Sequence, residues 1–423
     1  MHKQTYFYKM LILVVIISFA FSTQFIIKTF KVTNADITPT LFISDLADTN
    51  FYATNNYIFF TRWVDSTKTK RVLKKLELST NIETAVSSQT NADIFFQYSQ
   101  YNWVNDQFCC WLDSRNSISD PTLFDIFITD LSTNTERCVT NNPADRACLN
   151  LSDKWVSYVE YGTNNPGVYV CDISNQNNTP FLVHSINDQQ CIETGMDTYN
   201  NVTYLVYEDK NDDKWDIILY NCTTTQSITI ASSSLIERYP KVQSGYVAYI
   251  TTNMVSASVT KSSLNSPSVS SSVMLYNISS GVTTTILQLG SYDDCYINTN
   301  QSLIGNKIII NKYHTNPTTP AVRNFSIYSF DPTNGLVELI NDTNSLFLSS
   351  QANASNTVYL LYLKLDSSSY NSNVYLFNYN NQTFSQITND SSYKFALRVN
   401  NLNGFFTNKI DDQSATNLYI FDL

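Results

Sequence analysis

One hexapeptide type recurs eight times along the 423-residue chain, and it constrains the fold more than any other feature. The copies are VLKKLE (72–77), DIFITD (125–130), GVYVCD (167–172), DIILYN (216–221), SVMLYN (272–277), SIYSFD (326–331), NVYLFN (373–378) and NLYIFD (417–422). All but the first open on a small or polar residue (Val72 stands there in the first), and the copies continue through Ile, Val or Leu and mostly bulky positions to end on Asp or Asn (Glu77 in the first copy). Their final residues lie about 49 apart. Ser, Thr, Asn or Gly follow most copies, and there an Asp or Asn side chain can accept from the backbone two residues on and start a turn.

Each hexapeptide has companions at similar offsets. An apolar strand precedes it, at 58–63, 108–112, 156–161, 204–207, 247–250, 308–310, 358–363 and 404–407. A weaker segment comes before that, as at 239–245, and a fourth run follows, as at 227–230, 283–287 and 336–340. After residue 30 no stretch sustains apolar spacing of 3.6 residues over a dozen positions, so helices are not expected. Four short antiparallel strands repeated every 40 to 50 residues are the signature of an all-β fold, a single β-propeller. Stacked sandwiches need about 100 residues per domain, and an open solenoid uses shorter repeats. Eight blades are predicted, with seven as the alternative; the count turns on the first copy, which contains two lysines.

The last copy ends next to Leu423, so its blade lacks a fourth strand, while residues 38–44 (TPTLFIS) have no blade of their own. An N-terminal strand is therefore predicted to pair with 417–422 as the outermost strand and close the ring. Pro39 suits an edge, where a missing N–H faces water. Alternation along a strand predicts Leu41 and Ile43 on one face and Phe42 on the other.

Residues 1–9 carry Lys3 and Lys9, and 11–21 read LILVVIISFAF, the basic and apolar regions of a secretory signal with a small-x-small site at 20–22. The predicted division is a signal peptide over 1–22, a short lead over 23–37 and the propeller over 38–423. The alternative is an uncleaved anchor over 10–27, which only just spans a bilayer and has Lys28 and Lys31 beyond it. Either way the remainder is expected in an oxidising lumen, secreted or at the cell surface. Eight cysteines agree, an even number after a signal favouring disulfides. Cys138 and Cys148, ten residues apart around Asn141-Asn142-Pro143, are the predicted pair. Sequons begin at Asn150, Asn177, Asn201, Asn221, Asn277, Asn300, Asn324, Asn341, Asn353, Asn381 and Asn389. So Asn-, Ser- and Thr-rich a chain yields about this many by chance. The net charge of -10 and pI near 4.8 argue against a nucleic-acid partner, whose phosphates need a basic footprint.

Residues 204–221 (YLVYEDKNDDKWDIILYN), followed by 237–249 (ERYPKVQSGYVAY), resemble the repeats of TolB-like β-propeller proteins. Those repeats join an apolar strand, a short acidic or Gly-Asn turn, a D-I-Y-x-Y-D strand and a P-x-I-S-G-x-x-V-x-Y return. The likeness is best over about 150–280; the usual Ser-Pro-Asp-Gly turn is missing. It implies an extracytoplasmic propeller used for binding and transfers no catalytic residue.

Few residues offer chemistry. Beyond His2 in the signal there are only His184, expected as an ordinary strand residue, and His314, expected in a solvent-exposed turn. No G-x-S-x-G elbow occurs. Asp209, Asn211 and Asp213 alternate as in the opening of a calcium loop, but Lys214 replaces the turn glycine and Tyr220 stands where the closing Glu belongs. The alternative is a polar hairpin. The Ser-rich stretch 255–272 reads as an insertion leaving one face of the ring. These features fit a non-catalytic binding, adhesion or scaffold module with an extracellular protein or glycan as partner and no cofactor, calcium being the alternative. The competing reading is a propeller lyase or hydrolase acting on extracellular glycan through Asp or Glu in the central channel.

Overall fold

The computed structural model describes residues 32–34, 37–47, 50–64, 66–68, 70–88, 94–95, 102–117, 119–120, 122–162, 165–186, 192–211, 214–252, 271–290, 293–297, 303–304, 307–315, 323–343, 349–354, 357–365, 372–390, 392–400, 402–409 and 415–423. They form eight antiparallel sheets whose strands follow chain order from the inner to the outer edge. Blades 1 to 8 occupy 52–85, 94–138, 145–185, 194–231, 236–289, 293–343, 349–386 and 393–422. The count of eight stands, and the lysine-bearing copy is the third strand of blade 1, Arg71–Glu77. All eight hexapeptides fall on third strands, and the apolar companions on second strands. Their last residues start turns as expected: Asp130, Asp172, Asn221, Asn277, Asp331 and Asn378 each accept the amide N–H two residues on at 2.8–2.9 Å.

Both faces of a blade are buried, which explains apolar runs that hardly alternate with polar residues. In blade 4, Leu205, Tyr207, Ile218 and Tyr220 pack with Val159, Val168 and Val170 of blade 3. Their chain neighbours Val206, Ile217 and Leu219 point the other way, onto Val247, Tyr249 and Tyr276 of blade 5. Polar ties repeat between blades at the hairpins joining first and second strands. Asn105 Nδ2 donates to Asp153 O at 2.8 Å, Ser244 N to Asp197 Oδ2 at 2.6 Å, and Asn400 Nδ2 to Thr54 O at 3.1 Å.

The N-terminal strand closes the ring. Thr40–Leu46 pairs antiparallel with Thr416–Asp422 as the outermost strand of blade 8. One expectation about it is corrected. Leu41 faces Tyr419 and Ile43 faces Leu418, so a bulge consumes Phe42 and breaks the alternation. Ile43 is buried at 5% exposure while Leu41 is 55% exposed. A second bulge carries Asp45 at φ 58° and returns Leu46, 3% exposed, to the core. Within the expected lead segment, Val32–Asn34 adds a fifth, parallel strand to blade 7 beside Thr383–Gln386.

Candidate functional site

Antiparallel order sorts the connections between the two ends of the ring. Hairpins between first and second strands, and between third and fourth, share one end. Second-to-third connections and the crossings between blades share the other. The first end is built mostly of short connections, such as 153–154, 200–201, 244–245, 222–225 and 278–281, with 96–107, 173–180 and 298–306 the exceptions. The second carries the connections 64–70, 114–124, 162–166, 253–270, 316–322, 366–371 and 410–415, and 212–213 is the shortest of them.

Charged side chains gather at this loop end, most of them between blades. The inner strands Asp145–Ser152, Ile236–Gln243 and Tyr393–Val399 each contain a bulge, and a buried cation precedes it: Arg146, Arg238 and Lys394. Arg146 donates to Glu160 Oε2 at 3.0 Å through Nε and lies 3.3 Å from Asp125 Oδ1. Arg238 Nε donates to Glu208 Oε1 at 2.8 Å, and its guanidinium lies 3.9 Å from the centre of the Trp215 ring. Lys394 pairs with Asp390. Arg115 joins Asp113 at 2.5 Å to Glu136 at 2.6 Å, and Lys241 reaches Glu193 at 3.4 Å. Burial pushes the Glu208 carboxyl up while Arg238 opposes it. These pairs are satisfied within the fold and pin the ends of the strands.

The two histidines sit in different blades. His184, in the outer strand Phe181–Ser185, pairs through Nε2 with Asp209 Oδ1 at 3.0 Å and stacks on Tyr207. His314 lies in the strand Lys307–Thr315 rather than in a turn, and its Nδ1 meets Asp293 Oδ1 at 2.8 Å. Lys312 Nζ holds the other Asp293 oxygen at 2.8 Å. Asp209 and Asn211 belong to the strand Val202–Asn211, with Asn211 opposite Lys214 across the hairpin; Asp213 lies outside the described residues. The alternating oxygens thus start in a strand, and the Asp209 carboxylate is already partnered by His184. Among the described residues no three His, Cys, Asp or Glu side chains converge as a metal cluster.

Cys138 and Cys148, the predicted pair, are not bonded to each other in this structure. Cys138 donates to Thr140 O at the end of blade 2, and Cys148 is buried at the blade 3 bulge, with Sγ 3.2 Å from Ile192 O. No disulfide joins the described cysteines; Cys191 lies outside them. Burial pushes the Cys138 and Cys222 thiols up to about 12 and Cys171 to about 11, away from the thiolate form. Among the sequons, Asn177, Asn201, Asn341, Asn381 and Asn389 are exposed. Asn150 is 3% exposed, its amide enclosed by Cys148 O at 2.9 Å and Thr194 Oγ1 at 3.0 Å. Asn221 and Asn277 are half-buried and occupied in their own turns. The side chains of Asn324 and Asn353, and the whole of Asn300, lie outside the described residues, as does the segment 253–270.

Sequence reasoning missed the cations at the bulges and one inner-strand carboxyl, Asp197. Burial raises Asp197 to about 6 against the bonds it accepts from the Ser244 and Thr198 amides. No local motif marks these residues, because their partners come from other strands and other blades.

No family model and no curated protein matches the sequence. Solved structures do. An oligogalacturonate lyase in complex with manganese is similar over 93% of this chain and 98% of its own, at 12% identity and a TM-score of 0.51. The acylaminoacyl peptidase of Pyrococcus horikoshii matches 89% of this chain with 51% of its own, at 8% identity and the same TM-score. TolB from Acinetobacter baumannii matches 81% of this chain and 79% of its own, at 11% identity and a TM-score of 0.35. A lyase and a peptidase at equal similarity carry a fold and not an activity. The chain is an eight-bladed β-propeller, in agreement with the TolB-like architecture that its repeat implies.

Proposed function

We propose that this chain is a secreted or surface-displayed propeller that binds an extracellular protein or glycan through its loop end, without catalysis. The observation that carries the reading is the asymmetry between the ends. Tight turns crowd one rim, whereas the second-to-third connections that open the other have unequal lengths and unrelated sequences. Rigid strands presenting variable loops are the usual design of a recognition surface. The titratable groups at this end support it, because Arg115, Arg146, Arg238, His184 and His314 each have a carboxylate partner. A second reading, a glycan lyase or hydrolase, draws on Asp197. A carboxyl that titrates at about 6 suits a general acid, yet Asp197 already anchors the Ser244 hairpin.

The test immobilises the full chain from a secreting host and presents a panel of extracellular glycans and proteins. A variant with 255–268 replaced by Gly-Ser-Gly is compared with one altered at the tight-turn end, Asn200→Asp with Asn201→Asp. Binding that is lost in the first and kept in the second, with melting unchanged, is the expected result. Turnover of any glycan that Asp197→Asn abolishes would replace this reading with the enzymatic one.

A further inference from the structure

Each blade ends outward on a strand with one open side, and such an edge invites another strand unless charge, proline, irregularity or a cover defends it. Six blades have a defence of this kind. Glu83 lies in the outer strand of blade 1, where it pairs with Arg62 at 2.8 Å. Glu136 and Arg137 lie in that of blade 2, and Glu338 and Asp342 in that of blade 6. The outer strand of blade 3 follows Pro180 and contains His184, paired with Asp209. Blade 7 is covered by Val32–Asn34. In blade 8 the two bulges leave no more than two successive residues in register, and Asp45 lies between them and Leu46.

Blades 4 and 5 differ. Their outer strands, Gln226–Ala231 and Val282–Leu289, contain no charged residue and no proline. Among the described residues no strand lies beyond either of them. Each pairs regularly over four residues, Gln226–Thr229 and Val282–Thr285, before a bulge interrupts it. Every one of these residues is exposed.

The blade 5 edge has two further properties. No charged residue occurs between Lys261 and Asp293, although the chain carries a net charge of -10. Its third and fourth strands are thus a neutral rim on an acidic molecule, where two copies repel one another least. In addition, Val282-Thr283-Thr284-Thr285-Ile286 reads alike in both directions, β-branched throughout with three threonines at the centre. An antiparallel pair made by a strand and its own copy is isologous, so the strand must be complementary to itself. A register centred on Thr284 sets Thr283 against Thr285, Thr284 against Thr284 and Val282 against Ile286. Threonine pairs of this kind support cross-strand contact. The corresponding blade 4 stretch, Gln226-Ser227-Ile228-Thr229-Ile230, lacks that symmetry.

We propose that the outer edge of blade 5 binds a second copy of this chain, Val282–Thr285 pairing antiparallel with its counterpart about a two-fold axis at Thr284. The three central pairs fall within the regular stretch, and the bulge at Ile286 ends the pairing. The contact is therefore short and the dimer weak. The rings meet rim to rim, which leaves the loop end of each open.

Sedimentation equilibrium of the full chain, taken from a secreting host and freed of N-glycans, tests this. At about 0.1 mM the wild type should approach twice the monomer mass, and dilution to about 1 µM should dissociate it. Thr284→Lys and Thr284→Asp each bring like charges together on the axis. Each should be monomeric at both concentrations and melt as the wild type does. An equimolar mixture of the two variants should recover the dimer, because opposite charges then meet across the axis. Ile228→Lys, on the blade 4 edge, should leave association unchanged. A wild type that stays monomeric at about 0.1 mM, a Thr284→Lys variant that still dimerises, a mixture that stays monomeric, or growth beyond a dimer overturns the proposal.

Discussion

Removing Ile43 should damage the ring far more than removing Leu41, although both belong to the closing strand. Ile43 and Leu46 enter a cluster with Phe51, Ala53, Phe60, Phe405 and Leu418, where blade 8 meets blade 1. The strand is held from both sides. Its backbone pairs with 416–420, and Arg62 of blade 1 donates to Ser44 O at 2.5 Å. Burying a side chain of this size is worth about 1.5–3 kcal/mol, and its truncation adds the cavity left behind. Ile43→Ala should therefore cost about 2–5 kcal/mol. Leu41→Ala, at a position 55% exposed, should change stability by less than about 0.5 kcal/mol. Urea denaturation of the full chain, compared at constant slope, measures both. Equal losses from the two substitutions would refute the bulge at Phe42 and restore simple alternation.

Two further outcomes follow from packing, one between blades and one within a blade. Asp197 titrates at about 6 in the folded chain, against about 3.9 when unfolded. Between those values the folded state binds the extra proton, so stability should fall as pH rises from about 4 to 6 and level off above. The full span is of order 3 kcal/mol. Asp197→Asn keeps an acceptor for Ser244 N–H and should flatten that slope, raising the melting temperature at pH 7.5 and not at pH 4; an unchanged slope sinks the assignment. Gly404 faces Phe421 across the sheet, and a methyl group there would meet the ring at 2.1 Å. Gly404→Ala should cost about 1–3 kcal/mol, read as a lowered urea midpoint, and an unaffected midpoint would mean that the ring can move aside.

Local chemistry made the repeat legible. The hexapeptides mark every third strand because a strand buried on both faces must be almost wholly apolar, and because its terminal Asp or Asn caps the following turn through its own side chain. Both rules act within a few residues, so eight copies gave eight blades. Ring closure was legible for the same reason: one blade lacked a strand, and one strand lacked a blade. The face of Leu41 was not, because a bulge depends on how Thr40–Leu46 meets its partner and not on its own order of residues.

The sites divide along the same line. Composition, the apolar leader and the repeat are properties of contiguous sequence, and they determined an all-β ring and set the expectation of an extracytoplasmic chain. The pairing of Arg238 with Glu208, the burial of Asn150 and the isolation of Cys138 from Cys148 were decided only by the tertiary structure. Hydrogen bonds and ion pairs act over a few ångströms, and in a propeller the groups that meet at that range are often a blade, about 49 residues, apart in the chain.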